Sequence, residues 1–125
     1  MLRVGIGADH GGFVLKAELA VSLRAAGYEI EDYGAFHLCG SGVDASVAAN
    51  KIAGVRAGLI HDVYSAHQGV EDDAINVLCL RGKAIGSALT LELIETFLHA
   101  QFSGAARHRR RLAKVQALET GDISP

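Results

Sequence analysis

Three features of the sequence predict an α/β fold built as an open parallel sheet with helices on both faces. Short apolar segments alternate with segments of helical period, glycines stand at the joins, and strand–helix–strand spacing implies parallel pairing with crossover connections. Glycine is the compositional outlier, with 15 in 125 residues, against roughly 7% in an average protein. The length and the absence of any linker or repeat fit one domain over residues 1–125.

Each element follows from its pattern. Residues 2–8 are apolar and run into Asp9-His10-Gly11-Gly12, which reads as a buried strand ending in a glycine turn. From Phe13 to Ala26, Leu15, Leu19, Leu23 and Ala26 form one stripe with Lys16, Glu18 and Arg24 off it, and Gly27 stands where a helix stop belongs. Tyr28 to Tyr33 reads as the second strand, ended by Gly34. A piece Phe36–Cys39 precedes Gly40-Ser41-Gly42 and a small-residue helix from about Asp44 to Ile52. Val55–Ile60 is another strand, residues 62–73 a short helix or polar loop, and Ile75–Leu80 a further strand. Ile85, Leu89, Leu93 and Phe97 mark an amphipathic helix over 84–102, and Gly104 separates it from a basic helix over about 105–119. One join does not fit. Parallel neighbours need a connection of about a dozen residues, and only a few lie between Tyr33 and the Phe36–Cys39 piece. Either that piece is not a neighbouring parallel strand, or one strand-to-strand crossover is missing.

Composition excludes several classes. Half the residues are hydrophobic, 21% are charged and the net charge is −2, unlike a disordered tail or a bulk nucleic-acid binder. The apolar runs are too short for a membrane span, and Arg3, Asp9 and His10 interrupt the stretch a secretion signal needs. Cys39 and Cys79, without a CxxC, suit a reducing cytosol, so the expectation is a cytoplasmic protein without nucleic-acid or membrane partners.

The chemistry-bearing residues cluster at predicted strand ends, where open parallel sheets bind ligands. Asp9 and His10 are placed to exchange protons with a sugar hydroxyl, or Asp9 simply caps the first helix. Cys39 at a strand end, followed by Gly40, Ser41 and Gly42 opening a helix, combines a thiol acidified by the helix dipole with N–H groups that can hold an oxyanion or phosphate. The alternative is a structural cysteine beside a tight turn; for Cys79, mid-strand, that alternative prevails. Within the run 107–111, Arg107 and Arg111 share a helical face and can converge on one phosphate. A dinucleotide site is disfavoured because His10 holds the third glycine position of that motif. The histidines show no paired zinc-ligand spacing.

In combination and order, ADHGGFVLK, CGSGVDASVAANKIAGVRA, YSAHQGVEDDAINVL and RHRRRLAKV resemble the ribose-5-phosphate isomerase B and galactose-6-phosphate isomerase family of sugar-phosphate isomerases. The resemblance implies a Rossmann-like sheet and a cytosolic enzyme of pentose phosphate and carbohydrate metabolism. It also implies a metal-free, cofactor-free aldose–ketose isomerase (an intramolecular oxidoreductase) acting on a phosphorylated sugar through a cis-enediol. A homodimer or homotetramer with a shared active site is implied as well. Carried over, Cys39 is the base that moves the proton between C1 and C2, since Ala45 stands where some members place a Glu. Gly40, Ser41 and Gly42 match the anion loop, Asp9 and His10 the substrate-contacting pair, and Arg107 and Arg111 the phosphate arginines. Asp9 and Ser41 join Cys39 as catalytic candidates; His10 and the two loop glycines bind substrate.

Four positions depart from the pattern. Asp44 replaces an anion-loop glycine and would repel an anionic intermediate. Asp72-Asp73 stand where the family has the His-Asn used for ring opening, with His67 nearby. Lys83 replaces an arginine, turning a bidentate fork into a point charge. The missing crossover coincides with a family segment carrying a substrate-contacting tyrosine. The alternative function is therefore a catalytically impaired phosphosugar-binding homologue or a non-catalytic subunit. A second apolar edge on the 84–102 helix, Leu91, Ile94 and Leu98, predicts a dimer interface, unless the last helix covers it.

Overall fold

A computed structural model describes residues 3–8, 13–35, 42–82 and 86–122, with the side chains of residues 3, 6–8, 13 and 32–35 left aside. Among these residues, nine elements run in the order β1 (Arg3–Ala8), α1 (Phe13–Ala25), β2 (Glu29–Ala35), α2 (Val43–Ala49), β3 (Ala57–Leu59), α3 (Val63–Asp73), β4 (Val77–Cys79), α4 (Ser87–His99) and α5 (Ala106–Thr120).

The described strands pair in parallel as β1–β2 and β3–β4, as the strand–helix–strand spacing demands. Arg3 faces Glu29 and Ile6 faces Asp32, and then the register shifts so that Ala8 meets Ala35. That irregularity lets β2 run past Gly34, where the sequence pattern ends it. Residues 36–41, including the Phe36–Cys39 piece, lie outside the described residues.

α1 ends as Gly27 predicts. With φ +95 at Gly27, the Tyr28 N–H donates to Leu23 O and the Gly27 N–H to Arg24 O, each at 3.0 Å. These two bonds form a Schellman stop that satisfies the last carbonyls. The inward stripe differs from the expected one: Lys16, Leu19, Ala20 and Leu23 are buried, while Ala26 is exposed. The helix is rotated toward Lys16, whose long apolar stem can be covered by neighbours.

α2 stops at Ala49 rather than Ile52. The Asn50 side chain takes over, donating to Ala57 O at 2.9 Å and accepting from the Ala57 N–H at 2.7 Å, which turns the chain into β3. β3 and β4 are shorter than the apolar runs suggested. Below them the chain is held by side chains instead: Asn76 accepts from the Arg56 N–H at 2.8 Å and donates to Gly54 O at 2.8 Å. The ambiguous 62–73 segment is a helix, capped by Asp62, whose carboxylate accepts from the Ser65 N–H at 2.7 Å.

Ile60, Ala66 and Leu93 form a buried cluster, surrounded by Val63, Ile75, Leu78, Leu80 and Phe97. Fully buried Leu23 and Leu93 each contribute about 1.5–3 kcal/mol. α3 seats closely because Gly69 has no side chain; a Cβ there would lie 2.7 Å from Ile75 Cδ1. α4 packs between α1 and α3. Its buried residues are Thr90 and Leu93, whereas Leu89, expected on the inner stripe, is 41% exposed. Leu91, Ile94 and Leu98 are half-buried within the chain, Leu91 lining a shallow groove against Glu18, Leu19 and Ser22 of α1. Of the edge assigned to a dimer, Leu91 thus faces α1, and among the described residues of α4 the exposed large apolar one is Leu89. Among the described residues no helix is long and apolar enough to cross a membrane.

Candidate functional site

The two ends of the β3–β4 pair carry different chemistry. At the carboxyl end, Gly42 closes the glycine loop as the residue before α2, buried and with φ +75. A Cβ at this position would lie 2.9 Å from both Leu80 O and Leu59 Cδ1. Only glycine combines this close approach with a left-handed backbone, so the end of the loop is pressed onto the strand exits. Beside it, His61 Nε2 accepts from the Arg81 N–H at 3.1 Å and ties the exits of β3 and β4 together. Asp62 follows, its carboxyl held below the usual range by the Ser65 bonds. Asp44 sits in the first turn of α2 and is exposed.

The other end carries the charged cluster. α3 starts just after β3 and finishes just before β4, so its 11 residues run back along the pair for about 16 Å. Asp72 and Asp73 at its close therefore lie at the amino end of the strands, opposite Gly42. α5 begins there, since His108 Nε2 stands 3.3 Å from Asp72 Oδ1. α5 finishes near the entry to β3, where the Gly54 N–H donates to Glu119 Oε1 at 3.0 Å.

Arg107 and Arg111 share one face of α5, and both are exposed, as their spacing predicted. Arg109 instead turns back over Gly104. His67, considered as a replacement for the family histidine, pairs with Glu71 on the surface of α3, Nδ1 to Oε2 at 3.2 Å. Asp73 is exposed; Asp72 is partly covered by His108.

The structure thus brings Asp72, Asp73, Arg107 and Arg111 to one end of the β3–β4 pair and Gly42 to the other. Cys39, Asp9, His10, Gly40, Ser41 and Lys83 lie outside the described residues. Cys79 is buried, and desolvation pushes its thiol up from the ordinary value, as suits a structural cysteine.

Sequence reading missed His108, counting it only as part of a basic run. It is 3% exposed, with Nδ1 2.7 Å from Ser103 Oγ and Nε2 accepting from Arg107 Nε at 3.0 Å. The phase of α5 carried the signal: Ala105, His108 and Leu112 recur at the spacing of one covered face.

The sequence model of the Ribose/Galactose Isomerase family matches residues 35–115. Ribose-5-phosphate isomerase B of Escherichia coli (strain K12) is 30% identical over 146 aligned residues, covering 95% of this chain and 97% of the relative. The aligned stretch exceeds the 125 residues of this chain, so some aligned positions are filled by the relative alone. The Clostridium thermocellum ribose-5-phosphate isomerase B structure superposes with a TM-score of 0.90 at 32% identity, covering 98% of this chain and all of that one. The Mycoplasma genitalium enzyme, solved with bound ribulose-5-phosphate, gives 0.87 at 26% identity, covering 95% and 97%. A family model matching more than half of the chain and relatives of 30% identity or more along nearly its whole length agree, and the chain belongs to the ribose/galactose isomerase family of Rossmann-like α/β enzymes.

Proposed function

We propose that this chain interconverts the aldose and ketose forms of a phosphorylated sugar of the ribose-5-phosphate/ribulose-5-phosphate type through a cis-enediol. Cys39, as thiolate, takes the proton from C2 of the aldose and returns it to C1, while the hydroxyl proton moves from O2 to O1. Gly40, Ser41 and Gly42 hold the oxygen that becomes negative, using loop N–H groups and the Ser41 hydroxyl. Asp9 and His10 bind and orient the sugar and assist ring opening. Asp72 and Asp73 contact its hydroxyls, and the Arg107 and Arg111 forks hold the phosphate. No cofactor or metal enters this scheme, because the thiol and the loop supply both base and anion stabilisation.

The observation that carries this reading is an arginine pair on one face of α5 in the same chain as Gly42 pressed onto the exits of β3 and β4. Their placement at opposite ends of the strands favours a site made by two copies, with Gly42 of one protomer facing Arg107 of its partner. We therefore read the protein as a homodimer or a homotetramer of such dimers. Its two unpaired-motif cysteines suit the reducing cytoplasm.

Cys39→Ala is expected to abolish turnover of four-, five- and six-carbon sugar phosphates while a phosphosugar still raises the melting temperature. Full turnover by the variant would remove Cys39 from the base role. A second reading, a phosphosugar-binding partner without turnover, is favoured by Asp44, whose carboxylate in the first turn of α2 competes with an anionic intermediate. Binding without turnover in the wild-type chain, with turnover gained in Asp44→Gly, would establish it.

A further inference from the structure

His108 has two neighbours competing for one ring nitrogen. Arg107 Nε, 3.0 Å from Nε2, needs a lone pair there; Asp72 Oδ1, 3.3 Å from the same atom, needs a proton there. One nitrogen supplies only one of these at a time. On the other side of the ring, the Ser103 hydroxyl serves either state, accepting from Nδ1–H or donating to a bare Nδ1. Ser103 is itself fixed, its N–H donating to Glu71 O at 2.9 Å and its Oγ accepting from the Ala105 N–H at 3.3 Å.

The ring therefore has two self-consistent arrangements. With the proton on Nδ1, Nε2 holds Arg107 and the Asp72 carboxylate receives no hydrogen bond from the ring. With the proton on Nε2, the ring donates to Asp72 and Arg107 must leave. Arg107 is exposed and has open solvent to turn into, whereas His108 is buried, where leaving a polar edge unpaired is costly. A phosphate, forming charge-assisted bonds with a guanidinium, is the kind of group that outcompetes a neutral imidazole for Arg107.

We propose that His108 is a positioning residue that links the two: when Arg107 turns to the substrate phosphate, the His108 proton shifts to Nε2 and the ring holds Asp72 in a fixed orientation toward the sugar. The ring releases one proton to water at Nδ1 and takes one at Nε2, so charge and proton count balance. The proposal rests on the reading of Arg107 as a phosphate ligand, and it adds an order of events in which phosphate capture precedes the orientation of Asp72.

The test is the ring nitrogen spectrum of the full-length protein labelled with 15N-histidine, titrated with inorganic phosphate while the melting temperature is followed in parallel. The expected result is a bare Nε2 in the free protein that becomes protonated as phosphate saturates. Arg107→Ala is expected to show the protonated Nε2 without phosphate. A rise in melting temperature with an unchanged His108 ring would overturn the coupling and leave the isomerase reading standing. Neither a rise nor a ring change would overturn the coupling together with the phosphate role of Arg107. A bare Nε2 persisting in Arg107→Ala would also overturn it.

Discussion

Gly42 shows how much one residue can decide. Its φ of +75 and the 2.9 Å approach to Leu80 O penalise any side chain twice, through backbone strain and through a clash with a carbonyl that cannot move aside. Gly42→Ala is expected to destabilise the fold by about 1–3 kcal/mol, read from urea denaturation, and to weaken phosphosugar binding as the loop lifts from the strand exits. The two cysteines make the opposite comparison. Burial holds the Cys79 thiol neutral, and because its folded value is raised, this contribution to stability is present at neutral pH and lost as pH rises through that value. Iodoacetamide at pH 8 is expected to label Cys39 first and Cys79 only on unfolding; prompt labelling of Cys79 in the folded protein would contradict its structural role.

At the scale of the element, the start of α3 is set by Asp62. Its carboxyl is held low by the Ser65 N–H, so the cap stabilises the charged form, in full above the unfolded carboxyl value of about 3.9 and progressively less as pH falls through the lower folded value. Asp62→Ala is expected to melt at a lower temperature than wild type at pH 7, with the gap closing below about pH 4. A gap that stays constant down to pH 3 would mean that the cap does not act through its charge. The cap matters beyond α3, because this helix carries Asp72 from one end of the strands to the other.

For the whole molecule, the proposed function implies a site in two halves. If Gly42 and Arg107 serve one substrate from different protomers, then Cys39→Ala and Arg107→Ala inactivate different halves. Refolding an equal mixture of the two inactive variants is expected to restore about a quarter of wild-type activity, since half the dimers are mixed and each has one intact site. Light scattering should show a dimer or a multiple of it at micromolar concentration. A clean monomer mass with full activity would require both halves to meet within one chain and would refute the shared site. On α4, Leu91, Ile94 and Leu98 are already half-buried within the chain, Leu91 against α1, while Leu89 faces outward, so Leu89→Asp is the variant to set beside Leu98→Asp when the interface is mapped by light scattering.

The sequence by itself determined the order of the described elements and the type of all but α3, the parallel pairing, the Gly27 stop, the Gly104 break and the arginine face of α5, because each depends on local periodicity or on a backbone conformation that one residue type tolerates. It also held the short join after Tyr33, a matter of counting residues. Tertiary structure alone decided which side of an amphipathic helix turns inward. Lys16 displaced Ala26 on α1, and Thr90 took the inward place expected of Leu89 on α4, because packing against neighbours selects the face and hydrophobicity only narrows the choice. It alone decided that Asn50 ends α2, since the partner is a backbone group seven residues away. It alone brought Asp72, Ser103, Arg107 and His108 together, four residues contributed by α3, the 100–105 turn and α5. Spacing along a chain reports neighbours on one helix; a hydrogen bond between helices exists only once their packing has fixed the distance.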